Sequence, residues 1–280
     1  MVSCAQRCRD FGLVLYNPKE KTCLRRTCKS WTLIIIYFCI FYSCLAAYFV
    51  GVLSAIVYGI TDPKVPTLTG MQSLLKLNPG LGVLPPVDPE ATLMQVPVFD
   101  SKQRTEYLAF MEEYLRQYKN KSTNCNFATG ERDNWSPDVP CEFPLELLGP
   151  CATPAKYMEE NNNICIYLKM NKIYGYLPDV PDKKVLVQCG PATSFDGENL
   201  NPPIFFPSVV TENGTFGYFS SVTFPYLNQP GFQVPLLAVT FPDVRKNTVV
   251  MVSCTLTNVG TGEPLRFDLS IDDVKSIAFQ

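Results

Sequence analysis

The chain contains no histidine. That absence removes Ser-His-Asp and Cys-His nucleophile pairs, together with the commonest general acid–base side chain and the commonest zinc ligand. The sequence also lacks a Gly-x-x-x-x-Gly-Lys-Ser/Thr phosphate loop, a Gly-x-Gly-x-x-Gly turn and a Gly-x-Ser-x-Gly elbow, so nucleotide-binding and hydrolase chemistry have no recognisable foothold. No Asp-x-Asp pair is present to hold a metal on a sugar nucleotide. The nearest approach, Asp196-Gly197-Glu198, is first a turn signal. Strands do not alternate with helices as a nucleotide-sugar fold requires. No spacing singles out a carboxylate pair for glycoside hydrolysis. The expectation is a protein that is not an enzyme, with no catalytic residue, no cofactor and no metal site.

A second absence is local. From Trp31 to Ile60 there is no Asp, Glu, Lys or Arg. This mostly apolar run exceeds the roughly 20 residues a helix needs to cross the hydrocarbon core, which predicts a transmembrane helix at 31–60 in contact with lipid. The run is too long for the apolar core of a cleaved signal peptide and starts too late. Before it stand Arg7, Arg9, Lys19, Lys21, Arg25, Arg26 and Lys29 against Asp10 and Glu20; after it Asp62, Lys64 and Lys76 are sparse. Basic flanks stay cytosolic, which predicts a single-pass type II protein with residues 1–30 as a cytoplasmic tail. The net charge of −2 therefore hides a basic tail and an acidic exterior. An acidic exterior argues against nucleic acid as a partner.

The span has two patterned faces. Ser43, Ala47, Gly51, Ala55 and Gly59 recur every fourth residue, and a row of small side chains lets another helix approach closely. Phe38, Phe41, Tyr42, Leu45 and Phe49 recur at steps of three and four on another side. The two faces predict at least one transmembrane partner.

Twelve cysteines divide along the same topology. Cys4, Cys8, Cys23 and Cys28 lie in the tail, where free thiols are the default, with Cys28 a weak palmitoylation candidate. Cys39 and Cys44 lie in the span. Cys125, Cys141, Cys151, Cys165, Cys189 and Cys254 lie outside, an even set in an oxidising compartment that predicts three bridges. Pairing in sequence order is the simplest guess among the fifteen connectivities that six cysteines allow. Three glycosylation sequons also lie outside, at Asn120, Asn134 and Asn213, with Asn134 the poorest because Pro137 follows its Ser136.

Residues 61–100 are rich in proline and glycine and read as an extended stalk, since that composition resists helix and central strand alike. From Ser101 to Lys119, Tyr107, Leu108, Met111, Tyr114, Leu115 and Tyr118 form one apolar stripe, which predicts an amphipathic helix packed on a sheet. Beyond Cys125, Ile164–Met170, Lys184–Cys189, Pro235–Phe241, Thr248–Thr257 and Pro264–Ile271 read as strands. Several short strands with a long-range bridge suggest a sandwich.

A set of short motifs in fixed order resembles the β subunit of sodium/potassium- and proton/potassium-transporting P-type ATPases. In the tail these are Phe11, Leu15-Tyr16-Asn17-Pro18, Arg26-Thr27 and Ser30-Trp31; in the span, Ile40-Phe41-Tyr42-Ser43-Cys44-Leu45-Ala46. Outside, they are Cys165 to Gly175, Cys189-Gly190, Asp196-Gly197-Glu198, Ile204 to Pro207, Phe224-Pro225-Tyr226, Gln233 to Val239, Val252-Ser253-Cys254 and Arg266-Phe267-Asp268.

The resemblance implies an immunoglobulin-like sandwich at 101–280 with one packed amphipathic helix, and three bridges paired 125–141, 151–165 and 189–254. It implies a non-catalytic subunit of the plasma membrane that serves the folding, membrane delivery and potassium occlusion of a catalytic α subunit. On that resemblance Phe38, Phe41 and Tyr42 pack on the α subunit's seventh transmembrane helix. Phe232, Gln233, Val234, Pro235, Leu236, Leu237, Ala238 and Val239 cap its extracellular loop between helices seven and eight. The small-residue row is left for closer helix contacts or a regulatory single-span protein. The sodium pump is the favoured setting; a proton/potassium pump subunit or a type II cell-adhesion glycoprotein are the alternatives.

Overall fold

A computed structural model describes residues 16–17, 21–24, 26–62, 64–74, 76–85, 93–97, 101–118, 125–132, 136, 139–260 and 262–272. The chain forms two compact units, Met1–Thr67 and Leu68–Gln280.

In the first unit, β1 (Tyr16–Asn17), β2 (Thr22–Cys23) and β3 (Arg26–Thr27) form a small antiparallel meander. It leads directly into α1 (Cys28–Gly59), a helix of 32 residues. At 1.5 Å per residue α1 is about 48 Å long, against a hydrocarbon core of about 30 Å. None of its residues is buried within the chain, although the helix is apolar on nearly every side, as a membrane span is. The Trp31 indole Nε1 donates to the Cys23 carbonyl at 2.8 Å, clipping the meander to the first turn of α1.

The second unit is a β-sandwich with a helical layer on one side. Its strands are β4 (Leu81–Leu84), β5 (Leu93–Pro97), β6 (Cys125–Asn126), β7 (Glu131–Arg132), β8 (Ile166–Met170), β9 (Lys184–Pro191), β10 (Ile204–Phe206), β11 (Ser208–Thr211), β12 (Gly214–Ser220), β13 (Leu236–Thr240), β14 (Val249–Leu256) and β15 (Leu265–Asp272). Its helices are α2 (Ser101–Arg116) and α3 (Pro154–Asn161). One sheet has the order β10-β13-β8-β4, the other β11-β12-β9-β14-β15-β5, and β6 pairs with β7. Pairing in the two large sheets is antiparallel except between β15 and β5.

Alternation of side chains along a strand gives the middle sheet two duties. Ile166, Leu168 and Met170 of β8 and Leu237 and Val239 of β13 face the six-stranded sheet, joining Val185, Val187, Val250, Val252, Phe267 and Leu269 in one core. Tyr167 of β8 and Leu236 and Ala238 of β13 face the other way, packing with Met111 and Leu115 of α2, Tyr118, Phe127, Phe143 and Leu148 in a second core. A strand buried on both faces reads as a continuous apolar run, which is the form of Leu236-Leu237-Ala238-Val239.

The stretch expected as a stalk contributes β4 and β5, both at sheet edges. Edge strands tolerate proline because one row of their amides needs no partner. In α3, Pro154 occupies the first helical position, where no amide bond is lost, and Asn162 ends the helix with φ 47°. Gly217 in β12 packs directly against the four-stranded sheet. A Cβ there would sit 2.7 Å from Leu237 Cδ2 and 2.7 Å from Phe205 Cδ1, so only glycine fits without displacement.

Three disulfides are present: Cys125–Cys141, Cys151–Cys165 and Cys189–Cys254. The third joins residues directly opposed on β9 and β14, so it lies within one sheet rather than between two. Tyr107 donates its hydroxyl to the Cys165 carbonyl at 2.9 Å, and Tyr167 to the Cys151 carbonyl at 2.6 Å. Burial pushes both phenol pKa values up, keeping these donors protonated across the physiological range.

Candidate partner-docking surfaces

On α1, i to i+4 spacing stacks side chains along one side. Tyr37 and Phe41 stack at 6.2 Å between ring centres and Phe38 and Tyr42 at 5.9 Å. Edge contacts of 5.4 Å join Tyr37 to Phe38 and Phe41 to Tyr42. The four rings form one ladder, and all are exposed, as are Leu45 and Phe49 farther along. Sequence reasoning omitted Tyr37, whose signal was its four-residue step to Phe41. Ser43, Ala47, Gly51, Ala55 and Gly59 are exposed as well. A Cβ added at Gly51 or Gly59 meets nothing within 4 Å, so the row is a shallow strip open to a neighbour.

In the sandwich, the eight residues from Phe232 to Val239 divide sharply. Phe232 and Val234 keep part of their surface. Gln233 and Pro235 are buried, and Leu236, Leu237, Ala238 and Val239 are interior residues of β13. A partner reaching this region meets the loop that precedes β13 and not the strand, because both faces of the strand are already used by the two cores. Gln233 holds the loop: its Oε1 accepts from the Phe143 amide at 3.2 Å and its Nε2 donates to the Gln117 carbonyl at 2.7 Å. The Tyr118 hydroxyl donates to the Val234 carbonyl at 2.9 Å, and burial raises that phenol's pKa too.

Beside the loop, Tyr226 packs on Phe232 with ring centres 4.8 Å apart. The Lys172 ammonium lies 5.4 Å from the Tyr226 ring centre and 5.6 Å from that of Phe232, within range of attraction to both rings. Lys172 and Tyr226 are far apart in sequence and meet because Tyr174 bridges to Tyr226 and the Gly175 amide donates to the Tyr226 carbonyl at 2.9 Å. No local pattern could have joined them.

Two further polar side chains, missed as anchors by sequence reasoning, fix loops. Asp196 accepts from the Thr193 hydroxyl, from the Met251 amide at 3.0 Å and from the Thr193 amide at 3.2 Å. These bonds, the Thr193 hydroxyl first, hold its carboxyl pKa below the usual range. Asp196-Gly197-Glu198 is accordingly a short 3-10 turn tied to β14. Arg132 donates Nε to the Val222 carbonyl at 2.6 Å and Nη2 to the Phe224 carbonyl at 3.4 Å. It lines a cleft of about 800 Å³ with Leu177, Val180, Lys183 and Phe224, and burial lowers its pKa.

Of the sequons, Asn213 is exposed on the turn between β11 and β12; Asn120 and Asn134 lie outside the described residues. Cys23, Cys28, Cys39 and Cys44 carry free, exposed thiols, while Cys4 and Cys8 lie outside the described residues.

Comparison with known families matches residues 1–263 to the sodium/potassium ATPase beta chain. The chain belongs to that family. The match runs through the tail, the apolar helix and most of the sandwich. Among known proteins, the chain is 30% identical to the sodium/potassium-transporting ATPase subunit beta-1 of Drosophila melanogaster, covering 97% of this chain and 92% of the relative. It is 30% identical to the probable subunit beta-3 of Caenorhabditis briggsae, with 96% and 88% covered. It is 25% identical to the subunit beta-2 of Bos taurus, with 93% and 91% covered. Family membership accounts for a single apolar helix joined to a bridged, mainly-β domain, and places the chain among membrane proteins of ion transport.

Proposed function

We propose that this chain is the accessory β subunit of a sodium/potassium pump and that all catalytic and ion-binding groups reside on a separate α subunit. The observation that carries the reading is the family match across residues 1–263, which includes the helix as well as the outer domain. Its subdivision is a cytoplasmic tail at 1–30, a span at 31–60, a stalk at 61–100 whose β4 and β5 join the sheets of the domain beyond it, and an immunoglobulin-like ectodomain at 101–280. The tail lies in the cytosol and the sandwich outside the plasma membrane, as the basic flank of the span favours.

In this reading the aromatic side of α1, Phe38, Phe41, Tyr42, Leu45 and Phe49, docks against a transmembrane helix of the α subunit. The small-residue side, Ser43 to Gly59, receives a second helix, such as a regulatory single-span protein. Outside, the loop through Phe232 and Val234 caps an extracellular loop of the α subunit, braced from beneath by Gln233 and β13. Asn120, Asn134 and Asn213 carry glycans. The subunit assists folding and delivery of its partner. It favours potassium occlusion through contacts that differ between pump states, since a bound protein shifts an equilibrium only by its differential affinity for the two states.

Purification of the full chain from native membranes in mild detergent tests the proposal. A P-type ATPase chain identified by mass spectrometry in stoichiometric amount is the expected result; a chain recovered alone, or with unrelated proteins, overturns it. Verified reduction of the three bridges is expected to loosen the complex and weaken potassium occlusion, and unchanged occlusion counts against the capping role.

A further inference from the structure

The six-stranded sheet ends at β11, which has no partner on its outer side among the described residues. An open edge offers unpaired amide and carbonyl groups to any other strand, and proteins blunt such edges with proline, charge, short length or a cover. Proline flanks β4 on both sides (Pro79 and Pro85) and β10 on both sides (Pro203 and Pro207), and it ends β5 (Pro97), whereas β11 has it only before its first residue, at Pro207. In β11, after Pro207, the residues are Ser208-Val209-Val210-Thr211, with neither proline nor charge. Val210 is 79% exposed, and Val and Thr favour strand pairing.

The covering group is supplied next door. Thr211 pairs with Gly214, leaving Glu212 and Asn213 as a two-residue turn, and the Thr211 hydroxyl donates to the Gly214 carbonyl at 3.2 Å. Asn213 and Thr215, the two sequon residues that a glycosylating enzyme must read, are both exposed. Thr215 is the residue directly opposite Val210. Directly opposed residues share a face of the sheet, so Thr215, the third residue of the sequon, and the exposed Val210 lie on one face of the hairpin, and Asn213 stands in the turn that joins its two strands.

We propose that an N-linked glycan on Asn213 is the cover of this edge, excluding a second copy of the chain from adding its strand to β11. The inference rests on the lumenal placement of the sandwich proposed above. In the modification the Asn213 amide nitrogen bonds to the anomeric carbon of a lipid-diphosphate-linked oligosaccharide. The amide loses a proton, the lipid diphosphate leaves, and no electrons are transferred. The bulky, solvated sugar then occupies the space beside Val210 that an incoming strand needs.

The test uses the full chain made in a secretory eukaryotic cell and purified in mild detergent. Glycopeptide mass spectrometry reads occupancy of Asn213, and light scattering reads particle mass before and after enzymatic trimming of the folded protein. A Thr215→Ala variant removes the site during synthesis, and trimming supplies the same state after folding should that variant misfold. The expected result is an occupied Asn213, a shift to dimers and larger particles on trimming, and reversal of that shift in Val210→Lys, which places a charge on the edge. A trimmed protein that keeps its particle mass, or association that Val210→Lys does not reduce, overturns the inference. An unmodified Asn213 beside another occupied sequon overturns this inference alone, whereas a chain bearing no glycan at all overturns the lumenal placement with it.

Discussion

The membrane helix and the sandwich handle apolar surface in opposite ways. In α1 the large apolar side chains are exposed except for the half-buried Trp31 and Ile34, and none is buried within the chain. In the sandwich, apolar residues are divided between two cores that share β8 and β13 as a common wall. The sandwich therefore carries the determinants of its own stability, while the helix completes its packing only against lipid or another helix. Substitutions should accordingly separate into two classes, those that unfold the domain and those that leave it intact while changing what the helix holds.

The largest effect is expected at the shared wall. Leu237→Ala removes a side chain with no solvent exposure and should destabilise the sandwich by about 2–5 kcal/mol, read as a lower unfolding midpoint in denaturant. A midpoint near that of the unsubstituted protein would show that the two cores are not joined as described. Next is Gly217→Ala, whose added carbon meets Leu237 and Phe205. Overpacking of this kind costs about 1–3 kcal/mol, and a neutral result would mean the sheets can part locally at little expense.

A smaller, pH-dependent effect is expected at Asp196. Its folded pKa lies below the ordinary value of 3.8. The ionised carboxylate thus contributes stability that is present above that value and is lost as pH falls through the folded pKa. Asp196→Asn should lower the thermal midpoint at neutral pH and flatten the acid limb of the stability profile. A midpoint with the same acid dependence in both proteins would show that the ties to Thr193 and Met251 do not depend on charge.

The smallest effect on the sandwich, and the sharpest test of the comparison, is the pair Phe38→Ala with Tyr42→Ala. No residue of α1 belongs to either core of the sandwich, so the domain's melting should be unchanged while recovery of a co-purifying ATPase chain falls. Full recovery would remove the aromatic ladder from the docking surface. A shifted domain midpoint would break the separation between the two regions.

Much of this architecture is written in local patterns. The alternation in β15, with Phe267, Leu269 and Ile271 inward, needed no tertiary knowledge, and the stripe through Met111, Leu115 and Tyr118 placed α2. The strands that escaped notice have weak or interrupted patterns. Along β12 the residues from Phe216 to Ser220 are all buried, so no alternation remains to be seen, and Gly214 and Gly217 interrupt the run. β4 and β10 are hidden by their flanking prolines. The aromatic ladder was visible because helical spacing lies along the chain. The Lys172–Tyr226–Phe232 cluster was not, because its members meet through a bridge between distant loops. The run from Phe232 to Val239 reads as one apolar patch, yet most of it is interior; apolarity alone does not distinguish a surface that awaits a neighbour from one that already has two.

That double occupation has a consequence for how the domain can vary. Alternate residues of β13 answer to different neighbourhoods, Leu236 and Ala238 to the helical side and Leu237 and Val239 to the far sheet. A change at one position calls for compensation in one neighbourhood and leaves the other untouched. The strand thus carries two independent sets of constraints interleaved residue by residue, and Phe232 and Val234, just upstream of it, inherit their positions from both.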